Sequence, residues 1–153
     1  MRTYISQAYL VDANVLFSAF ISGKAIYPLL FTTYSIYVPD FTFLELEKYK
    51  QRILRKTKLP ENEFQEFVLR LLNKVTVIPN LLLSQTLLTK AYKLCQEIDE
   101  KDTVYIAAAI ELNLTLITSD KRLYNGLKAH DFSQVMLLGD VINTLPLFLE
   151  RTP

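Results

Sequence analysis

An α/β fold built around a parallel sheet is what the sequence predicts, and three observations carry the prediction. Short β-branched and aromatic runs recur along the chain, longer helical patterns lie between them, and Pro39, Pro60 and Pro79 punctuate the joins. The 153 residues, half of them apolar, match the common size of one domain and suffice for one sizeable core, so a single domain over residues 1–153 is expected. Charged residues make up 22%, Gly and Pro number only 3 and 6, and no low-complexity tract or internal repeat is present, which argues against a disordered chain.

Strands are expected at residues 9–11, 35–38, 75–78, 115–118 and 134–138, each a short run rich in Val, Ile, Leu, Thr or Tyr. Helical patterns fall at 15–20, 25–32, 42–56, 61–73, 82–97, 101–112 and 121–127, with a last short helix after Asp140. The run VYIAAAI at 104–110 is apolar on every face, and its three alanines permit close approach, so this helix should pack deep against the sheet. Helices 61–73 and 82–97 are amphipathic and are expected to pair as a more exposed arm. The C-terminal LPLFLE at 145–150 suits either an apolar contact surface, as in a homodimer, or the core.

Composition excludes several classes. Cys95 is the only cysteine and His130 the only histidine, so neither an intramolecular disulfide nor a Cys/His zinc site can form, and a reducing compartment is expected. Cys95 reads as a small buried apolar residue, since no His or Lys pairing is evident to activate it. The N-terminus lacks a secretory pattern, and no apolar run approaches the roughly 18 residues of a membrane span, so a cytoplasmic protein without membrane association is expected. A net charge of +1 argues against wrapping nucleic acid through bulk electrostatics. Local charge differs: KYKQRILRKTK at 48–58 carries six basic residues and no acidic one. On one continuous helix Lys48, Arg52, Arg55 and Lys56 would share a face, either as ordinary solvated charge or as a phosphate-binding surface.

The acids are the informative residues. Asp12 interrupts the apolar run YLVDANVLF just after the first strand, and Asp120 follows the fourth strand in LITSD. Ligands of open parallel sheets sit outside the carboxyl ends of strands where strand order reverses, so two adjacent strands would bring these acids into one crevice. Glu45 and Asp102 lie near expected helix starts. Structural roles compete for most of these acids. Thr42 and Glu45 match a capping box, Asp99 suits a cap for the helix holding Asp102, and Asp120 suits a cap for KRLYNGL. Asp12 is harder to assign to structure alone, because a carboxylate beside a buried strand is costly unless paired or coordinated. Four carboxylates with no nearby histidine and no Gly-rich phosphate loop suit a hard divalent cation, Mg²⁺ or Mn²⁺.

Three motifs, DANVLFSA, VPDFTFLELEKYK and IDEKDTVYIAAAIELNLTLITSDKRL, stand in this order and at these intervals. Together they resemble the PIN domain, the nuclease fold of VapC-type toxins, and the resemblance covers nearly the whole chain. It implies a three-layer α/β/α architecture whose central five-stranded parallel sheet runs in the order 3-2-1-4-5. It also implies a catalytic and metal-binding quartet of Asp12, Glu45, Asp102 and Asp120 holding one or two Mg²⁺ or Mn²⁺ ions, with Asp99 as an additional ligand. Asn14 matches the residue that steadies the first loop, and Ser119 matches the small hydroxyl residue before the last acid. No core position departs from the pattern, which argues against an inactive copy. The implied activity is metal-dependent hydrolysis of RNA phosphodiesters, with a small antitoxin protein and a second copy of the chain as partners. On that reading Lys48, Arg52, Arg55 and Lys56, with Lys121 and Arg122 beside Asp120, become candidate RNA contacts. Most Tyr and Phe residues belong to the core by spacing; Tyr105, one turn after Asp102, is expected chiefly to pack.

Two other classes are weaker. A haloacid-dehalogenase-type phosphatase would use Asp12 as nucleophile and Gly139-Asp140 in a metal motif, but Asn14 stands where a second Asp is required. A non-catalytic RNA-binding or scaffold module would keep the acids as caps; it would need no shared cation.

Overall fold

The computed structural model describes residues 7–146, so most of the apolar segment at 145–150 lies outside the described residues. Its centre is a five-stranded, all-parallel sheet in the order β3-β2-β1-β4-β5, formed by β1 (Ala8–Val11), β2 (Ser35–Pro39), β3 (Val75–Ile78), β4 (Thr115–Thr118) and β5 (Val135–Leu137). Side chains alternate between the two faces along each strand. Tyr9, Val11, Ile36, Val38 and Ile117 enter one hydrophobic cluster, whereas Leu10, Leu116, Ile78 and Val135 enter the other. Helices cover both faces, as an all-parallel sheet requires.

On the first face lie α1 (Ala13–Ser22), α2 (Ile26–Thr33), α5 (Glu61–Leu72) and the short α9 (Leu138–Ile142), with Leu16, Leu30, Leu71 and Val141 buried among them. On the second face lie α6 (Gln85–Cys95), α7 (Thr103–Leu112) and α8 (Lys121–Ala129). Tyr105 through Ala109 are all buried, and α7 lies against β1, β2 and β4, so its alanines allow the close approach that the apolar run implies.

Several boundaries and one pairing differ from expectation. The amphipathic helices α5 and α6 do not form an arm: Phe64, Phe67 and Leu71 of α5 join the first cluster, while Leu88, Ala91 and Cys95 of α6 join the second. Amphipathicity fixes that a stripe is buried, not which surface buries it. The long helix at 42–56 is two helices, α3 (Phe41–Lys48) and α4 (Lys50–Lys56), broken at Tyr49 with φ −101° and ψ 10°. The break has a tertiary cause: the Tyr49 ring packs edge-on against Phe17 at 5.4 Å, and Ile53 turns into the core. Lys48 thus lies on α3 and Arg52, Arg55 and Lys56 on α4, not on one continuous helix. A 3-10 turn at Asn80–Leu82 precedes α6, which starts only after Ser84 accepts a bond from the Leu87 N–H, and another at Glu100–Asp102 precedes α7. The last described helix begins at Leu138, not after Asp140, which lies in its first turn.

The turn closing α1 requires glycine. Gly23 has φ 63°, its N–H closes the helix on Ala19, and a Cβ there would lie 2.5 Å from Leu59 Cγ. A left-handed conformation costs an L-residue about 1–2 kcal/mol, and Leu59 would also have to move. Gly23→Ala is expected to lower the unfolding free energy by at least about 1 kcal/mol, read as a reduced urea midpoint at unchanged m-value.

Candidate active site

Strand order reverses between β1 and β4, and the register sets Val11 beside Ile117. The next residues in each strand exit, Asp12 on one side and Thr118, Ser119 and Asp120 on the other, therefore emerge together at the carboxyl edge. Above them lies a cleft of about 520 Å³ lined by Asn14, Phe17, Ser18, Glu45, Tyr49, Arg52, Asp99, Lys101, Asp102, Ser119 and Asp120. Four elements besides the strands meet there: α1, the α3–α4 break, the 3-10 turn before α7, and the start of α8.

Asp12 lies buried beside this cleft and is not among the residues that line it. It is 3% exposed, and both its oxygens are engaged: the Val15 N–H donates to Oδ1 at 3.1 Å and the Thr118 hydroxyl donates to Oδ2 at 2.7 Å. The Thr118 oxygen in turn accepts the Asp120 N–H at 3.0 Å, so one hydroxyl links the two strand exits. Asp120 Oδ1 accepts from the Arg122 and Leu123 N–H groups, capping α8 as expected, and Oδ2 is left for the cleft. Asp99 caps the 3-10 turn through the Lys101 N–H. Asp102 and Glu45 cap nothing. Asp102 makes no side-chain cap bond to α7, and the expected Thr42/Glu45 capping box is absent because the cap position of α3 falls on Asp40, two residues before Thr42, which bonds the Tyr105 hydroxyl instead. Cap and cleft positions thus coincide for Asp99 and Asp120, since a carboxylate oxygen that accepts one bond retains a second lone pair, while Asp12 caps α1 from beside the cleft.

Burial and mutual repulsion shape the electrostatics. Loss of solvent pushes Asp12 up from 3.8 to about 6, opposed by its two hydrogen bonds and reinforced by the charges of Glu45 and Asp120. Asp102 rises from 3.8 to about 7, first through burial and then through the nearby charges of Asp12, Asp99, Asp120 and Glu45. Burial also raises Glu45, against the Tyr105 hydrogen bond and the positive charges of Lys101 and Lys48. Among the described residues no cation stands within ion-pair distance of these acids; the one close pair is Lys50–Glu47 at 3.9 Å on the surface. The donor set, all carboxylate oxygen and partly desolvated, suits a hard divalent cation. The side chains as they stand do not form a finished cage, for no three His, Cys, Asp or Glu residues among those described group tightly enough to hold one ion.

The expected RNA-binding residues separate. Arg52 lines the cleft; Lys48 is exposed, with its ammonium 5.4 Å from the Tyr49 ring centre; Arg55, Lys56, Lys121 and Arg122 are exposed and do not line it. Asn14 and Ser119 are exposed lining residues, and the hydroxyl bonded to Asp12 belongs to Thr118, one residue before Ser119. Three contributors were not singled out in the sequence for these roles: Lys101, signalled only by its place between Asp99 and Asp102; Thr118, a polar residue ending an apolar strand; and Tyr49, for which no local signal exists. Tyr105 packs as expected at 1% exposure, yet its hydroxyl also donates to Glu45 Oε1. Cys95 is wholly buried, with its thiol pushed up to about 12 by desolvation, and so is no nucleophile.

Because Asp12 and Asp102 have raised values in the folded chain, the folded state retains protons that the unfolded state releases between about pH 4 and pH 7. Their contribution to stability is complete below that window and is lost as pH rises through it. Thermal unfolding in EDTA is expected to show a melting temperature that falls by several degrees from pH 5 to pH 8. Asp102→Asn should shrink that fall and melt above the wild type at pH 8, since it removes a repelled charge that makes no cap bond.

The sequence matches the family model for the PIN domain over residues 10–138. No curated protein matches it significantly. Among solved structures, the fold resembles PAE2754 from Pyrobaculum aerophilum, with 16% identity, TM-score 0.62, and coverage of 90% of this chain and 88% of that one. It also resembles a chain of a toxin-antitoxin complex from Klebsiella pneumoniae, with 20% identity, TM-score 0.56, and coverage of 84% and 95%. At these identities the neighbours bear on the fold alone, and they agree with the parallel 3-2-1-4-5 sheet. With well over half of its length matched by the family model, the chain belongs to the PIN-domain family.

Proposed function

We propose that this chain is a single-domain, metal-dependent endoribonuclease, cytoplasmic, and the toxin half of a toxin-antitoxin pair. The observation that carries the reading is that Glu45, Asp102 and Asp120, from three separate elements, line one cleft at the switch point of a PIN-domain sheet, with Asp12 buried beside them. Asp12 does not line that cleft, but beyond burial the charges of Glu45 and Asp120 help raise its pKa, and its own charge helps raise that of Asp102. PIN domains are generally nucleases and typically depend on divalent metal. The Klebsiella neighbour, described as a toxin-antitoxin complex, supports an antitoxin partner; a homodimer is the further assembly the family suggests.

In this reading Asp12, Glu45, Asp102 and Asp120, with Asp99 at the margin, hold one or two Mg²⁺ or Mn²⁺ ions. Such ions polarise a phosphoryl oxygen and lower the pKa of bound water. The remaining chemistry belongs to the chain. Thr118 orients the Asp12 carboxylate and ties it to the Asp120 backbone. Arg52 and Lys101, on the cleft walls, bind phosphate oxygens flanking the scissile bond, and Lys48, Arg55, Lys56, Lys121 and Arg122 extend that surface outward. Phe17 and Tyr49 line the same cleft and offer aromatic surface to an unstacked base. Asn14 and Ser119 supply polar contacts at the rim.

A non-catalytic RNA-binding or scaffold role is the second reading, favoured by the cap bonds that Asp12, Asp99 and Asp120 already make. Metal separates the two, because independent caps need no shared cation. Incubated with a mixed RNA pool, the purified protein is expected to cleave with Mg²⁺ or Mn²⁺ and not with EDTA, and Asp102→Asn should be inactive. Failure to bind either metal would sink the nuclease reading.

Two graded variants sharpen the assignment. Thr118→Val is expected to reduce cleavage about 10- to 100-fold, the usual cost of removing a partner that orients a ligand. Arg52→Ala should weaken RNA binding similarly across sequences and reduce the slope of log affinity against log salt by about 1.

A further inference from the structure

Tyr105 stands in the first turn of α7, is 1% exposed, and packs its ring edge-on toward Phe41 at 6.5 Å. A buried phenol needs a partner for its hydroxyl, and this one has two. It donates its single proton to Glu45 Oε1, so it accepts from the Thr42 hydroxyl at 2.9 Å, and the order of donors is fixed as Thr42 to Tyr105 to Glu45. Thr42 is fully buried and is the one residue of α3 that is.

We infer that Tyr105 is a positioning residue for Glu45, acting with Thr42 as a buried hydroxyl chain that holds one carboxylate oxygen and presents the other to the cleft. The inference rests on the nuclease reading for what the presented oxygen does. A free glutamate has three soft torsions and loses considerable rotamer freedom when it must serve at one point. The chain removes that freedom before any ligand arrives. It also sets a distance: Tyr105 rides on the helix whose preceding turn carries Asp102, so its bond to Glu45 ties α3 to the element presenting Asp102. Glu45 and Asp102 are 57 residues apart in sequence (102 − 45) and share no strand or helix, yet one phenol couples them. Packing alone would be satisfied equally by phenylalanine.

The test compares the full-length wild type with Tyr105→Phe, Thr42→Val and Thr42→Ser. Each is measured for Mn²⁺ affinity by calorimetry on the metal-free protein, for kcat and KM on RNA, and for melting temperature. Asp102→Asn serves as the control for the nuclease reading. Tyr105→Phe keeps the ring and Thr42→Val keeps the shape, so each removes one link of the chain without opening a cavity. The expected result is Mn²⁺ affinity and kcat both lowered about 10-fold in Tyr105→Phe and Thr42→Val, with KM unchanged. Thr42→Ser, which keeps the hydroxyl, should recover most of the loss seen in Thr42→Val. Either link alone suffices if the other variant fails to fold. A folded Tyr105→Phe with wild-type Mn²⁺ affinity and kcat would overturn the inference. Wild-type protein that binds Mn²⁺, loses it in Asp102→Asn, and cleaves no RNA would remove the nuclease reading while Mn²⁺ affinity still decides the role of Tyr105. Wild-type protein that binds no Mn²⁺ would remove both.

Discussion

The pairing of β1 with β4 is the constraint on which the rest of this molecule depends. Chain order would make β2 the neighbour of β1 on one side only; the return of the chain to β1's other edge, after β2 and β3 are complete, creates the reversal of strand order. The register places Leu10 beside Leu116 and Val11 beside Ile117, sending the first pair into one core and the second into the other. A slip of one residue would exchange the two faces of β1 and bury the wrong side chains on both. The same register makes the strands end level, so that Asp12 and Thr118 meet within hydrogen-bonding distance. Core packing and cleft geometry are thus settled by one alignment.

Against that alignment works the repulsion of the acids it collects. Asp12 is kept in place by two short polar contacts and by the strand it terminates, while Asp102 has burial and four neighbouring negative charges against it and no cap bond in its favour. Such concentrations of like charge are unfavourable for folding and are found where chemistry requires them. The protein meets the cost by giving several acids backbone work as well: Asp12, Asp99 and Asp120 each satisfy N–H groups that a helix start would otherwise leave open. A cap bond and a ligand role therefore do not exclude one another at these residues.

Much of this was legible in the sequence, and particular residues explain the limits. The five strands and the deep helix could be read because Val, Ile, Leu and Ala dominate short bounded runs, and Asp12 and Asp120 stood out because they end such runs. The break at Tyr49 could not be read: KYKQRILRKTK contains neither glycine nor proline, and the Tyr49 ring at the break packs against Phe17, a residue distant in sequence. The separation of α5 from α6 was hidden for a related reason, since an apolar stripe names no partner. The bond from the Thr118 hydroxyl to Asp12 could not be read, because strand alternation near an end decides which side chain points inward, and that depends on where the strand stops. Lys101 was overlooked because a lysine among acids reads as ordinary surface charge.

The anchoring of α3 has a further consequence. Its one fully buried residue is Thr42, while Phe41 and Leu46 pack half-buried against the two cores and Phe43 and Leu44 are left outside. Hydrogen bonds are directional but contribute little net free energy each, whereas the β1–β4 floor is held by wholly buried Leu10, Val11, Leu116 and Ile117. The wall with Glu45, with less of its surface buried, is therefore expected to open at a lower free energy than the strands beside Asp12.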